Sequence, residues 1–219
     1  MLTLFWHSEA MTNSVRISHL GASYFFTARL SDQNSDLLVQ KITHLRAAMR
    51  GMLSRYVTRI DAIVVLPSVV HMIMTLPEHD TDVEGRWDML QSLFARDAIP
   101  AAATDGAALH AKHANLWQSR VRIQRLQSDE DFAAHRDLIL MAPVHYGLAQ
   151  DPKNWPHSSI HRDIAAGLQV PTAPSAYSEY ITKITQPVEQ GADRDFLAMG
   201  FGPGRLGAMD DAPLVAASG

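Results

Sequence analysis

Two β-forming segments separated by only two residues constrain the fold of this chain more than any other feature of its sequence. The first ends in Ile63-Val64-Val65-Leu66 and the second covers Val69–Leu76, with Pro67 and Ser68 between them. A crossover between parallel strands needs a dozen or more residues, so these two strands must form an antiparallel hairpin. The chain is therefore expected to contain an antiparallel sheet.

Segments on either side of the hairpin also have strand patterns. Ser23–Leu30 is rich in aromatic and β-forming residues and predicts a strand. Trp117–Leu126 alternates apolar and charged side chains, which is typical of a strand with one buried face. The sheet should therefore have four strands.

Helices are predicted between and after these strands. Apolar side chains at three- and four-residue spacing indicate a helix after Ser35 and another over residues 84–96. Acidic residues at 129–131 favour a helix N-terminus, and we expect that helix to end at Pro143. The order of elements predicts an α+β fold, a ferredoxin-like or RRM-like antiparallel sheet with helices packed on one face.

The composition excludes several classes of protein. Apolar residues make up 47% of the 219, which is enough for a core and excludes a wholly disordered chain. With 19 Lys and Arg against 23 Asp and Glu, nucleic-acid binding by bulk positive charge alone is excluded. The absence of cysteine excludes disulfides, thiolate metal sites and cysteine nucleophiles. No apolar run approaches the roughly 20 residues that span a bilayer, so we expect no membrane partner and a cytoplasmic location.

Several stretches of the chain, taken in order and with their spacing, carry a resemblance to a known family. They are Gly21-Ala-Ser-Tyr-Phe-Phe-Thr27, Ser35-Asp-Leu-Leu-Val39, Arg59-Ile-Asp-Ala-Ile-Val-Val-Leu-Pro67, His71-Met-Ile-Met-Thr-Leu-Pro77, Trp117-Gln118, Asp131-Phe132, Pro143-Val144, Gly147-Leu148 and Trp155-Pro-His-Ser-Ser-Ile-His161. With these stretches the sequence resembles the REP-associated tyrosine transposases, single-strand DNA transposase-like proteins of the HUH class. The resemblance predicts a transposase-like HUH-type domain over residues 18–170, preceded by an N-terminal extension over 1–17. The proline and glycine content of residues 171–219 predicts a largely flexible tail.

The resemblance implies a chemistry as well as a fold. In such enzymes a tyrosine hydroxyl cuts one DNA strand and becomes joined to a 5′-phosphate, and a divalent metal such as Mg²⁺ or Mn²⁺ polarises the scissile phosphate. A His-hydrophobe-His pair on a strand holds the metal, because side chains two residues apart point to the same face. A polar residue four positions after the tyrosine lies on the same helical face and can serve the same metal.

The positions that carry this chemistry are replaced here. The first metal histidine of the family corresponds to Val69 and the second to His71, while the tyrosine corresponds to Leu138 and the later polar residue to Ala142. Leucine has no hydroxyl to form a phosphotyrosine, and one imidazole is a poor site for Mg²⁺, which prefers oxygen ligands. We therefore predict no catalytic residues, no metal or other cofactor, and a residual site at His71 alone.

A different tyrosine could in principle replace the lost nucleophile. Tyr146 lies eight positions after Leu138 and beyond Pro143, so we expect it to be on a different element from the helix that carries Leu138. Tyr24 falls in the first predicted strand. Neither is accompanied by a second metal ligand in the sequence, and both are therefore weak candidates.

Arginines provide the candidate contacts to DNA. Arg120, Arg122 and Arg125 lie on or beside one predicted strand, and Arg59 lies elsewhere in the sheet. A basic patch that contacts phosphates is one interpretation of these residues, and scattered surface charge is the other.

Three functional hypotheses remain from the sequence. The first is a transposase-like protein that binds single-stranded or hairpin DNA weakly and has lost strand cleavage. The second is an active metal-dependent single-strand transposase or nickase that uses a substitute nucleophile. The third is a relic that serves only as a protein-interaction module, with an unknown partner.

Overall fold

A computed structural model describes residues 20–98, 115–118 and 121–173. The described strands are β1 (Leu20–Arg29), β2 (Arg59–Val65), β3 (Val69–Pro77) and β4 (Arg122–Arg125). The described helices are α1 (Leu37–Gln40), α2 (Ile42–Arg55), α3 (Val83–Ala98), α4 (Asp129–His145), a 3₁₀ turn (Pro152–Asn154) and α5 (Ile160–Ala165). The predicted extension over 1–17 and the connection over 99–114 lie outside the described residues, as does all of the predicted tail after residue 173.

The four strands form one antiparallel sheet in the order β2-β3-β1-β4. The β2–β3 hairpin turns at Pro67 and Ser68, and β3 continues the sheet by pairing with β1 along nearly its whole length. Strand β1 therefore lies in the middle, between β3 and β4. The α+β class and the ferredoxin-like antiparallel sheet predicted from the sequence are confirmed.

Helices cover both faces of this sheet. On one face, α2 and α3 pack over the apolar cluster that contains Phe26, Ile63 and Met72. On the other face, α4 packs mainly against β2 and β3, over a second cluster that contains Phe25 and Val64. The expectation that helices pack on one face only was wrong. Alternate residues of a central strand point to opposite faces, and here both sets are apolar, so each face needs a cover.

Aromatic side chains make up much of the first cluster. Trp87, Phe94 and Trp117 are buried there, and the Trp87 and Trp117 rings meet edge to face at 4.8 Å between centroids. These rings are therefore part of the core. Trp117 pairs with Leu30, just after β1, only in an isolated bridge, and β4 covers Arg122–Arg125. Strand β4 is therefore shorter than the predicted strand.

The outer edge of β2 is covered by the segment before α5. The Val65 amide donates to the carbonyl of His157, and the Ser159 amide donates to the carbonyl of Ile63. The Trp155 indole N–H donates to the carbonyl of Val65 at 2.9 Å. These bonds satisfy backbone groups that an open sheet edge would expose. In the described part of the chain, no helix combines the length and the apolar character needed to cross a bilayer.

Candidate functional site

The register of the sheet places one polar row across the face that α4 covers. His71 on β3 is opposite Thr27 on β1 and Val64 on β2, and Thr27 is in turn opposite Arg122 on β4. Directly opposed residues of antiparallel strands share a face. Thr27 and His71, in the middle of this row, are 5% and 1% exposed, so they are a buried polar pair within an apolar face.

Both ring nitrogens of His71 have neighbours that can form hydrogen bonds. Nδ1 lies 2.8 Å from the Thr27 hydroxyl oxygen, and Nε2 lies 3.5 Å from the hydroxyl oxygen of Tyr146. The Arg29 guanidinium donates to that same Tyr146 oxygen at 3.2 Å. Burial, and secondarily the positive charge of Arg29, lowers the pKa of His71 to about 3. His71 is therefore a neutral imidazole at physiological pH.

Tyr146 reaches this group because α4 runs further than the sequence predicted. The helix passes through Pro143 and ends at His145, and Tyr146 is its C-cap, with its amide bonded to the carbonyls of Ala142 and Val144. Gly147 follows with a φ of +66°, a left-handed conformation that ends the helix. The expectation that Tyr146 lies on a different element was wrong, since a proline one turn from the helix end removes only one hydrogen bond.

The residues predicted to stand at the family's reactive positions are part of the core. Leu138 and Ala142 on α4 and Val69 on β3 are 2%, 2% and 4% exposed. All three belong to the apolar cluster beneath α4, together with Phe25 and Ile73. This part of the site therefore consists of apolar side chains packed against one another.

These residues do not fit the divalent cation that the family uses. His71 supplies only one imidazole. The two positions predicted to hold the family's other metal ligands are Val69 and Ala142, which are apolar. The positive charge of Arg29 acts on His71, and it would repel a metal cation bound at the same place. Within the described residues, no group of three or more His, Asp or Glu side chains could hold a metal ion.

The predicted DNA-binding arginines are in different places. Arg122 is in the polar row described above, whereas Arg125 is opposite Tyr24 and so points to the other face. Arg59 forms an ion pair with Asp61 on β2, at 2.6 Å. Arg120 lies outside the described residues. Their roles in binding DNA stay predictions.

The sequence analysis did not assign Arg29 to the site. It is two residues after Thr27 on β1, so both side chains point to the same face, and it is opposite Val69 on β3. Arg29 and Arg122 are thus diagonal neighbours on two adjacent strands, both half-buried. Its position two residues after Thr27 in a predicted strand indicated only that the two side chains share a face.

A ferredoxin-like sheet with His71 at its centre, crossed by the helix that follows β4, agrees with the resemblance to the single-strand DNA transposase-like proteins of the HUH class. No family model matches the sequence. The chain is 34% identical over 148 residues to the REP-associated tyrosine transposase of Escherichia coli (strain K12), which covers 68% of this chain and 82% of that protein. It is 33% identical over 158 residues to a Haemophilus influenzae protein assigned to the same family, covering 71% of this chain and 89% of that one.

A solved structure gives the same assignment. A REP-associated tyrosine transposase bound to a REP hairpin superposes with a TM-score of 0.63 at 30% identity, covering 72% of this chain and 88% of that one. This chain therefore belongs to the REP-associated tyrosine transposase family.

Proposed function

We propose that this protein binds hairpin DNA with a single-stranded flank and no longer cleaves it through the family's tyrosine position. Support for binding comes from the related transposase, which was solved with a REP hairpin and shares the fold over most of its length. The observation that carries the loss of cleavage is the burial of Leu138, 2% exposed in one apolar cluster with Val69 and Ala142. A hydrocarbon side chain at the nucleophile's position cannot attack phosphorus.

A second candidate function is transesterification through Tyr146, and the 3.5 Å separation of its hydroxyl from Nε2 of His71 favours it. In that reaction the phenol oxygen would bond to phosphorus and the bond from phosphorus to the 3′ oxygen would break. The phenol proton would pass to His71 and then to the leaving 3′ oxygen. A histidine whose pKa is about 3 is a poor base at neutral pH, which ranks this candidate second.

Binding can be tested with a fluorescein-labelled DNA hairpin that carries a single-stranded flank. We expect the fluorescence anisotropy to rise with added protein at low salt, and the affinity to fall as salt increases, because phosphate contacts release counterions. The same hairpin without the flank should bind more weakly, since unpaired bases and their phosphates supply part of the contact. No binding of either hairpin at low salt would contradict the proposal and favour the protein-interaction hypothesis.

Cleavage can be tested with the same flanked hairpin in Mg²⁺ or Mn²⁺, followed by a denaturing gel. We expect no protein–DNA adduct from the parent protein. An adduct that disappears in the Tyr146→Phe variant would establish the second candidate function. An adduct that persists in that variant would show another nucleophile and would equally contradict loss of cleavage.

A further inference from the structure

Resting on the proposed function, we propose that Arg29, Arg122 and Tyr146 form a phosphodiester-binding site in which arginine charge takes the place of the family's divalent cation. The site would hold a phosphate of the single-stranded flank, next to the polar row at Thr27 and His71. Binding there would need no metal.

The backbone places the two arginines on either side of one residue. Arg29 is two residues along β1 from Thr27, and Arg122 is directly opposite Thr27 on β4. Residues in these relationships lie about 7 Å and about 5 Å apart, respectively, and share a face. Both guanidinium groups can therefore approach one phosphate, or two successive phosphates, of a strand that crosses β1 and β4.

This half of the sheet face is the half that helix α4 covers least. The helix packs mainly against β2 and β3, whereas the two arginines are on β1 and β4. Both are half-buried, so each is partly accessible to solvent while its stem is supported by the sheet. A DNA strand can therefore reach Arg29 and Arg122 beside the helix.

Tyr146, at the end of α4, adds a hydroxyl group to the site. The Tyr146 hydroxyl accepts from Arg29 at 3.2 Å. The phenol oxygen lies 3.5 Å from His71 Nε2, the outer limit of a hydrogen bond, so its hydrogen can be donated to a phosphate oxygen instead.

The electrostatics suit an anion rather than a cation. Arg29 is positive and His71 is neutral, since its pKa is about 3. Guanidinium groups match the geometry of phosphate and bind it through two parallel N–H···O bonds. The positive charge that the family obtains from a metal is thus supplied here by side chains of the protein itself.

The test compares binding of the flanked hairpin in EDTA and in Mg²⁺ for the parent, Arg29→Gln and Arg122→Gln, with Arg55→Gln as the control of equal charge change. Arg55 is exposed at the end of α2, which packs on the opposite face. We expect equal parental affinity in EDTA and Mg²⁺. Each site variant should weaken binding about tenfold and lower the salt slope by about 0.7, the value for one lost phosphate contact on a single strand.

Further variants separate a binding role from a structural one. Arg29→Lys keeps the charge and should recover part of the affinity. Tyr146→Phe should weaken binding about tenfold, the effect of one hydrogen bond to a charged group. All variants should unfold at temperatures close to that of the parent. The hairpin without a flank should bind the parent and the site variants alike.

The outcomes distinguish this inference from the proposed function. If the parent binds and both site variants behave like Arg55→Gln, the phosphate site is overturned while hairpin binding stands. If EDTA abolishes parental binding, the replacement of the metal by arginine is overturned. If the parent binds neither hairpin, the proposed function fails, and this inference fails with it.

Discussion

The hydroxyl oxygen of Tyr146 lies 3.5 Å from Nε2 of His71, although the two residues are 75 positions apart in the chain. The same imidazole holds Thr27 through its other nitrogen at 2.8 Å. His71, predicted to stand at a metal-histidine position of the family, thus has a hydroxyl and a phenol beside its two ring nitrogens, and the Arg29 guanidinium contacts that phenol. The fold of the family is present in this chain, and hydrogen bonds and apolar contacts surround His71 at its centre.

The buried His71 should make the protein less stable in mild acid. The unfolded chain protonates this residue near its ordinary pKa of 6.5, whereas the folded protein holds the pKa at about 3. Between these values the unfolded state binds more protons, so the free energy of unfolding falls as pH falls, by up to about 1.4 kcal/mol per pH unit. When urea unfolding at pH 5 is compared with unfolding at pH 7, the free energy of unfolding should fall in both proteins. The fall should be about 2 kcal/mol smaller in His71→Gln than in the parent.

The comparison of the two proteins isolates His71 from other titrating groups. Burial, with the charge of Arg46 second, also lowers the pKa of His157, but this residue is present in both proteins and cancels in the difference. An equal loss of stability in the parent and in His71→Gln would contradict the prediction.

Leu138 should behave as a core residue. It is 2% exposed, and shortening a buried leucine to alanine removes transfer free energy and leaves a cavity. We expect Leu138→Ala to lower the free energy of unfolding by about 2–5 kcal/mol. Leu148→Ala, at a position that is 38% exposed just beyond α4, is the matched control and should cost much less. Equal effects of the two substitutions in urea unfolding would contradict the assignment of Leu138 to the core.

The turn at Gly147 should hold Tyr146 in place at the end of α4. Its φ of +66° is in the left-handed region, where an alanine costs about 1–2 kcal/mol. Gly167 follows α5 with a φ of +71°, so Gly167→Ala should cost a similar amount of stability. Only Gly147→Ala should also weaken binding of the flanked hairpin, because it disturbs the turn next to Tyr146. A loss of affinity that is the same in both variants would show a general effect of destabilisation.

Arg86 should be a structural arginine that joins α3 to the segment before β2 and to the loop after β3. It is 1% exposed and donates to Thr58 Oγ1 at 2.7 Å, to the carbonyl of Val57 and to Asp80, with which it forms an ion pair at 2.6 Å. Arg86→Met leaves these groups without their donor, and we expect a loss of about 3–5 kcal/mol in urea unfolding. Arg96→Met, which breaks an exposed pair with Asp97, should change stability little. Comparable losses in the two variants would contradict this role.

Local patterns in the sequence were enough to predict much of the fold. The two-residue separation between β2 and β3 required a hairpin, and the aromatic run of Ser23–Leu30 marked β1. The prediction that Val69, Leu138 and Ala142 replace the family's reactive residues also came from local patterns, since a motif fixes residue types at given spacings, and it stays a prediction. These features depend on residues that are near one another in the chain.

Tertiary structure alone decided which face α4 covers and which side chains surround His71. Apolar periodicity shows that a helix buries one stripe, but it carries no information about the sheet face against which that stripe packs. Thr27, Arg29 and Tyr146 reach His71 through the register of β1 against β3 and through the continuation of α4 past Pro143. Such contacts join residues far apart in the chain, and a shift of one residue in register would send every side chain of the strand to the opposite face.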